Sequence, residues 1–128
     1  MKKVFLICPV RNATEEQITF MSNYKKSLKE DGVMLYYPAE DNPYELTDNV
    51  GYQICRENLK HIINADEIHI FWDATSTGTL FDLGAAFALN KKIFIINPKD
   101  VVRTPTKSFS NMIWQWYGAE KGGEDGKI

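Results

Sequence analysis

The sequence predicts a single α/β domain built on a parallel β-sheet with helices on both faces. Three observations carry this. Short apolar runs near residues 4–8, 33–37, 67–72 and 92–96 have the length and β-branched character of strands buried on both sides. Segments of helical character follow each of them, so strand and helix alternate four times. The chain has 128 residues, enough for one hydrophobic core and too few for two.

Each element has its own local reason. Val4-Phe5-Leu6-Ile7-Cys8 is a continuous apolar run ended by Pro9. Thr14 precedes Glu15, Glu16 and Gln17, the pattern of a helix N-cap with acids in the first turn. Ile18, Met21, Tyr24 (or Lys25) and Leu28 then form a stripe through about Glu30, and Asp31-Gly32 stops it. Residues 33–37 read as a second strand, closed by Pro38. Residues 39–48 are polar, contain Pro43 and have no period, so they read as a loop long enough to be a lid or a binding segment. Asp48 or Asn49 can cap a helix over residues 50–64. A third strand spans 67–72, a polar turn 73–77, and a helix 78–90. A fourth strand over 92–96 ends at Asn97-Pro98, and a last helix covers 107–117. The domain is therefore expected over residues 1–118, with a Gly- and charge-rich flexible tail over 119–128.

Composition narrows the function classes. Hydrophobic residues make up 44% and charged residues 25%, with a formal net charge of −2. No basic face is announced, which argues against charge-driven capture of a nucleic acid polymer. A small anion remains compatible, because one positioned Arg or a helix N-terminus can hold it. Cys8 and Cys55 lie in apolar segments without metal-ligand spacing, as expected of reduced, buried thiols in a cytoplasmic protein. Too few apolar residues follow Met1-Lys2-Lys3 for a secretory leader, and no run approaches the roughly 20 of a membrane span. No metal or cofactor is expected.

In such sheets ligands bind beyond the carboxyl ends of the strands, where strand order reverses. That directs attention to the loops after the first and third strands, 8–14 and 73–78. The helix beginning at Gly78 has one charge, Asp82, in an otherwise apolar run. A helix apolar all round is expected to be packed all round, so its carboxylate must be bonded, paired or facing a wet pocket. The competing reading is an acid in the first helical turn, where the helix dipole favours it. Asp73, Ser76, Gly78 and Thr79 bring hydroxyls and backbone N–H groups to the same helix N-terminus, which suits an anion such as phosphate. Ordinary N-capping by Ser76 or Thr77 accounts for the same residues. Arg11 and Asn12 follow the first strand, and Arg suits two-pronged contact with a phosphate or carboxylate. Asn58 lies mid-helix and reads as solvated or as a substrate contact. His61 and His69 have no metal or triad spacing and read as structural, His69 pointing outward from its strand. No Ser-His-Asp, P-loop or G-x-G-x-x-G pattern is present. Trp114, Trp116 and Tyr117 crowd the last helix, as core or as an interface.

Several of these residues together resemble one family. Pro-Val-Arg-Asn follows the first strand, and Ala65-Asp66-Glu67-Ile68 opens the third. Asp73, Ser76, Gly78 and Phe81-Asp82-Leu83-Gly84-Ala85 lead to Lys91-Lys92-Ile93. This pattern, over residues 3–98, resembles the nucleoside 2-deoxyribosyltransferases and the related deoxynucleoside 5′-monophosphate N-hydrolases. The resemblance implies a flavodoxin-like three-layer sandwich with a four- to five-stranded parallel sheet. It also implies cleavage or transfer at the N-glycosidic bond of a 2′-deoxynucleoside or its 5′-monophosphate. Asp82 falls where the family has its nucleophilic glutamate, and Asn58 where it has an assisting aspartate. Asp73 would position the sugar or tune Asp82. Arg11, Ser76 and Gly78 match residues that hold a 5′-phosphate, with Cys8, Pro9, Asn12 and Thr79 beside them. The family also tends to form homodimers in which a neighbour completes the site. Two departures are plain: Asp82 is one methylene shorter than Glu, and Asn58 cannot ionise. A non-catalytic nucleotide-binding module of the same fold is the other expectation they permit. An interaction domain built on the aromatic last helix is a third.

Overall fold

The computed structural model describes residues 1–120. Chain order is β1 (Lys3–Ile7), α1 (Glu15–Glu30), β2 (Met34–Tyr36), α2 (Pro38–Asp41), α3 (Tyr52–Asn64), β3 (Glu67–Ile70), α4 (Thr77–Ala88), β4 (Ile93–Ile95) and α5 (Phe109–Glu120). The strands form one parallel sheet in the order β2-β1-β3-β4. This is the flavodoxin-like α/β fold, with four strands among the described residues. The order reverses between β1 and β3, so a crevice opens where those two strands end.

Period-2 alternation divides each central strand between two cores. Phe5 and Ile7 join Ile68, Ile70, Ile93 and Ile95 on one face, closed by Ile62, Leu83 and Ile113 from α3, α4 and α5. Val4 and Leu6 face the other way with Leu35 and Phe71, under Met21 of α1. Both faces are covered, which is why β1 reads as an unbroken apolar run.

The local signals act largely as expected. Thr14 caps α1 in a capping box: its hydroxyl accepts from Gln17 N at 3.1 Å, and Gln17 Oε1 accepts from Thr14 N at 3.0 Å. Gly32 ends that helix at φ +80°, a conformation glycine adopts without a Cβ penalty. Met21 is fully buried, whereas Ile18 at the head of the expected stripe is exposed. Asp48 does serve the start of α3, although Gly51 is the capping residue. Its carboxylate accepts from Val50 N and Ile54 N, both at 3.0 Å.

Five expectations need correction. The stretch 39–48 is not all loop, because α2 runs through Asp41 with Pro38 in its first turn. The helix around Asp82 starts at Thr77 and ends at Ala88, and Asn90 turns the chain at φ 54°. That helix is not packed on every side: Phe81 and Phe87 are exposed. The last helix covers Phe109–Glu120 rather than 107–117, and residues 121–128 of the expected tail lie outside the described residues. His69 does not point to solvent; it is buried beneath α1. Trp114 and Trp116 pack against the main core, and their indole N–H groups donate to Val101 O and Lys91 O.

His69 belongs to a chain of contacts at the end of the sheet away from the crevice. Lys2 Nζ pairs with Glu67 Oε1 at 2.8 Å, and the same oxygen meets His69 Nε2 at 2.8 Å. A carboxylate can only accept, so Nε2 carries the proton and Nδ1 accepts from the Tyr24 hydroxyl. Burial pushes His69 below its ordinary value, against the pull of Glu67. Burial would raise the Glu67 carboxyl, but Lys2 and His69 hold it below its ordinary value. Both groups therefore bind protons more readily in the unfolded chain. The stability these two groups contribute is present above about pH 6.5 and falls as pH drops through the His range and then the Glu range. The gap in urea midpoint between wild type and His69→Gln should therefore be smaller at pH 5.5 than at pH 7.5.

Candidate active site

A cavity of about 630 Å³ occupies the crevice. The turn after β1 supplies Cys8, Pro9, Arg11 and Asn12, and the loop after β3 supplies Asp73, Ser76 and Gly78. These residues, expected from sequence, do come together. Asn58 and Asp82 reach the same space from α3 and α4. Thr79 does not line the cavity: it is fully buried, and its hydroxyl has no partner among the described residues.

The loop after β3 is a built turn. Asp73 Oδ1 accepts from Thr75 N at 2.9 Å and from Thr75 Oγ1 at 2.6 Å, while Oδ2 accepts from Gln17 Nε2 at 3.2 Å. These bonds, from Thr75 above all, hold its carboxyl below the usual range. Asp73 is thus a committed acceptor that ties the loop to α1. Ser76 caps α4 by accepting from Thr79 N at 3.2 Å. Its O–H hydrogen stays available to donate. Thr77 and Gly78 open the helix on the cavity wall, where first-turn N–H groups have no helical acceptor.

Asp82 lies in the second turn of α4, beyond the reach of the dipole argument for a first-turn acid. Its carboxyl is half-buried and accepts no hydrogen bond from the described residues. Burial lifts it from 3.8 to about 7. The neighbouring thiols are poor competitors as nucleophiles, because burial raises both Cys8 and Cys55 and the Asp82 charge adds to it. Cys55 is half-buried and lines the cavity, where burial in the core was expected.

Of the two readings of Asn58, solvated or a substrate contact, the solvated one fails: the side chain is buried, 6% exposed, on the cavity wall. Its Oδ1 accepts from Asn42 Nδ2 at 2.9 Å. The charged lining is lopsided: Arg11 shares it with Glu45, Asp48, Asp73 and Asp82, and it is the sole cation among the described lining residues. Burial raises the Glu45 carboxyl, and Arg11 partly offsets this. Sequence reasoning missed Asn42, Glu45 and Phe81. The aperiodic stretch 39–48 was the signal for the first two, and it marked the segment without the residues.

An apolar groove between α3 and α4 continues from Asp82 and is lined by Tyr52, Leu59, Phe81 and Ala85. No group of three or more His, Cys, Asp or Glu among the described residues could hold a metal ion. No helix among them is long and apolar enough to cross a membrane.

Known proteins share this architecture. The family model of nucleoside 2-deoxyribosyltransferase matches residues 4–113. A 2-deoxyribosyltransferase of the psychrotolerant bacterium Bacillus psychrosaccharolyticus is similar in structure, with a TM-score of 0.62 and 26% identity over 73% of this chain and 70% of that one. The CMP N-glycosidase of Clostridium botulinum shares the fold, with a TM-score of 0.51 and 23% identity over 73% of this chain and 67% of that one. No curated protein sequence matches the chain.

Proposed function

The chain belongs to the nucleoside 2-deoxyribosyltransferase family, and from that premise we propose that it cleaves or transfers at the N-glycosidic bond of a 2′-deoxynucleoside. One observation carries the reading: Asp82 presents to a cavity at the strand-order switch a carboxyl with no partner among the described residues. The Asp82 oxygen bonds to C1′ of the sugar, and the C1′–N bond breaks with its electron pair going to the base. The base takes a proton from water. Water, or the N–H nitrogen of a second base, then attacks C1′ and gives its proton to the hydroxide left by the first step, and the C1′–Asp82 bond breaks to free the carboxylate. Asn58 holds no proton to give or take, so its part is to bind.

The cavity charge favours the substrate without a 5′-phosphate. One Arg stands against four carboxylates, and a phosphate would bring up to two further negative charges. The test is incubation with 2′-deoxynucleosides and their 5′-monophosphates, following free base by chromatography. Base release is expected from deoxynucleosides, with monophosphates at least about tenfold slower in kcat/KM. Release from none of them would overturn the reading. The inert amide of Asn58 supports a second reading, a nucleotide-binding module. Under it the ligand binds and is recovered intact.

The assembly proposed with this activity is a homodimer through the α3–α4 face. Tyr52 and Phe81 are both more than half exposed there, and the groove runs up to Asp82. Apolar area of this kind suits an interface. Sedimentation should give twice the chain mass, and Phe81→Arg should reduce it to one chain. A wild-type monomer at micromolar concentration would rule the dimer out.

A further inference from the structure

Asn58 lies on the cavity wall, is more than nine-tenths buried, and keeps its Nδ2 without a partner among the described residues. Its orientation is dictated from the chain backbone. Tyr44 N–H can only donate, and it donates to Asn42 Oδ1 at 2.9 Å. Ile54 O can only accept, and it accepts from Asn42 Nδ2 at 3.1 Å. The second hydrogen on Asn42 Nδ2 goes to Asn58 Oδ1 at 2.9 Å. Every polar atom of Asn42 is then used, and Asn42 is itself buried. With Oδ1 engaged, the Asn58 amide turns its Nδ2 toward the cavity.

We propose that Asn42 is a positioning residue that makes Asn58 a donor-only contact for a hydrogen-bond acceptor on the bound nucleoside. The acceptor is a carbonyl oxygen or ring nitrogen of the base, or an oxygen of the sugar. This rests on the nucleoside reading above and deepens it. A free Asn amide can flip and serve either a donor or an acceptor. Here the flip would set Nδ2 of Asn58 against Nδ2 of Asn42, two donors facing each other in a buried site. Position 58 therefore selects by hydrogen-bond polarity as well as by shape, and the loop carrying Asn42 sets that polarity.

Two substitutions reverse it. Asn58→Asp keeps the bond from Asn42 and turns a carboxylate oxygen to the cavity. Asn42→Asp keeps the bond from Tyr44 N and draws Asn58 Nδ2 toward itself, which turns Oδ1 to the cavity. Calorimetry with 2′-deoxynucleosides, free nucleobases and free 2-deoxyribose reads the effect. Both variants should bind deoxynucleosides about 10- to 100-fold more weakly than wild type. Where turnover is measured, KM should rise more than kcat falls. The loss should also appear with free base if the acceptor is on the base, or with free deoxyribose if it is on the sugar. Folded variants that bind as wild type would overturn the proposal. Nuclear magnetic resonance of the wild-type side-chain amides covers the case in which a variant does not fold. Saturating deoxynucleoside should shift the Asn58 Nδ2 protons and leave those of Asn42 in place; unmoved Asn58 protons overturn the proposal. If the wild type binds no deoxynucleoside, the function proposed above fails, a result separate from equal binding by wild type and variants.

Discussion

Replacing Asp82 by Asn is expected to stop base release and to stabilise the fold above neutral pH. The two effects have one cause. Asn matches Asp in shape, so the packing of α4 through its buried Leu83 and Ala86 is undisturbed. It lacks the anionic oxygen that bonds to C1′, so the covalent route is closed. Loss of a nucleophile costs at least about 10³-fold in kcat. Deoxynucleoside binding should persist, because the rest of the cavity wall is unchanged. For stability, the folded carboxyl sits near 7 and the unfolded one near 3.8. A raised value means that the stability contributed by the neutral form is present below about pH 4 and is lost as pH rises through about 7. The full difference corresponds to about 4 kcal/mol, and partial exposure of Asp82 reduces this to roughly 2. The Asp82→Asn variant has no such dependence. Urea denaturation of both proteins should therefore coincide near pH 4 and separate at pH 8, with the Asn variant higher. A fully active Asn variant would remove Asp82 from the chemistry. Equal stability at pH 8 would mean that its carboxyl ionises without hindrance.

Much of this fold is legible because its signals are local. The unbroken run Val4-Phe5-Leu6-Ile7-Cys8 reports a strand covered on both faces, and Thr14 with Gln17 reports a helix start. The loops that converge at the crevice are legible too, once the strands are known to be parallel. What escaped is what depends on partners distant in sequence. Asn58 sits beside Arg56 and Glu57 and reads as solvated, because nothing nearby announces Asn42. His69 alternates away from Ile68 and Ile70, but in a sheet covered on both faces the far side is also an interior. Helix α4 illustrates the opposite error. Its uniform apolarity suggests burial all round, yet Phe81 and Phe87 face outward, so apolarity there reports a surface the fold itself does not cover. Asp82 was visible as the single charge in that helix, but only the crevice gives it a task.

The pH profile of the reaction is the sharpest consequence of that setting. A nucleophilic carboxylate must be ionised, and burial holds Asp82 near 7 with no cation to draw it down. Glu45 shares the cavity and is also raised, but Arg11 works against that rise. The thiols of Cys8 and Cys55 are pushed up and stay neutral over the range. Asp82 is therefore the group that sets the profile. Only about 1% of it is ionised at pH 5, half near pH 7 and about 90% at pH 8. With a deoxynucleoside as substrate, kcat/KM should climb about tenfold per pH unit below 6 and level off above 8. An unphosphorylated substrate matters here, since a phosphate titrates near pH 6 and would add its own limb. Unfolding of the Lys2–Glu67–His69 cluster acts in the same acidic direction, so folded fraction must be measured at each pH and divided out. A profile flat from pH 5 to 8 after that correction would mean that Asp82 is ionised throughout, and that its burial has no bearing on the rate.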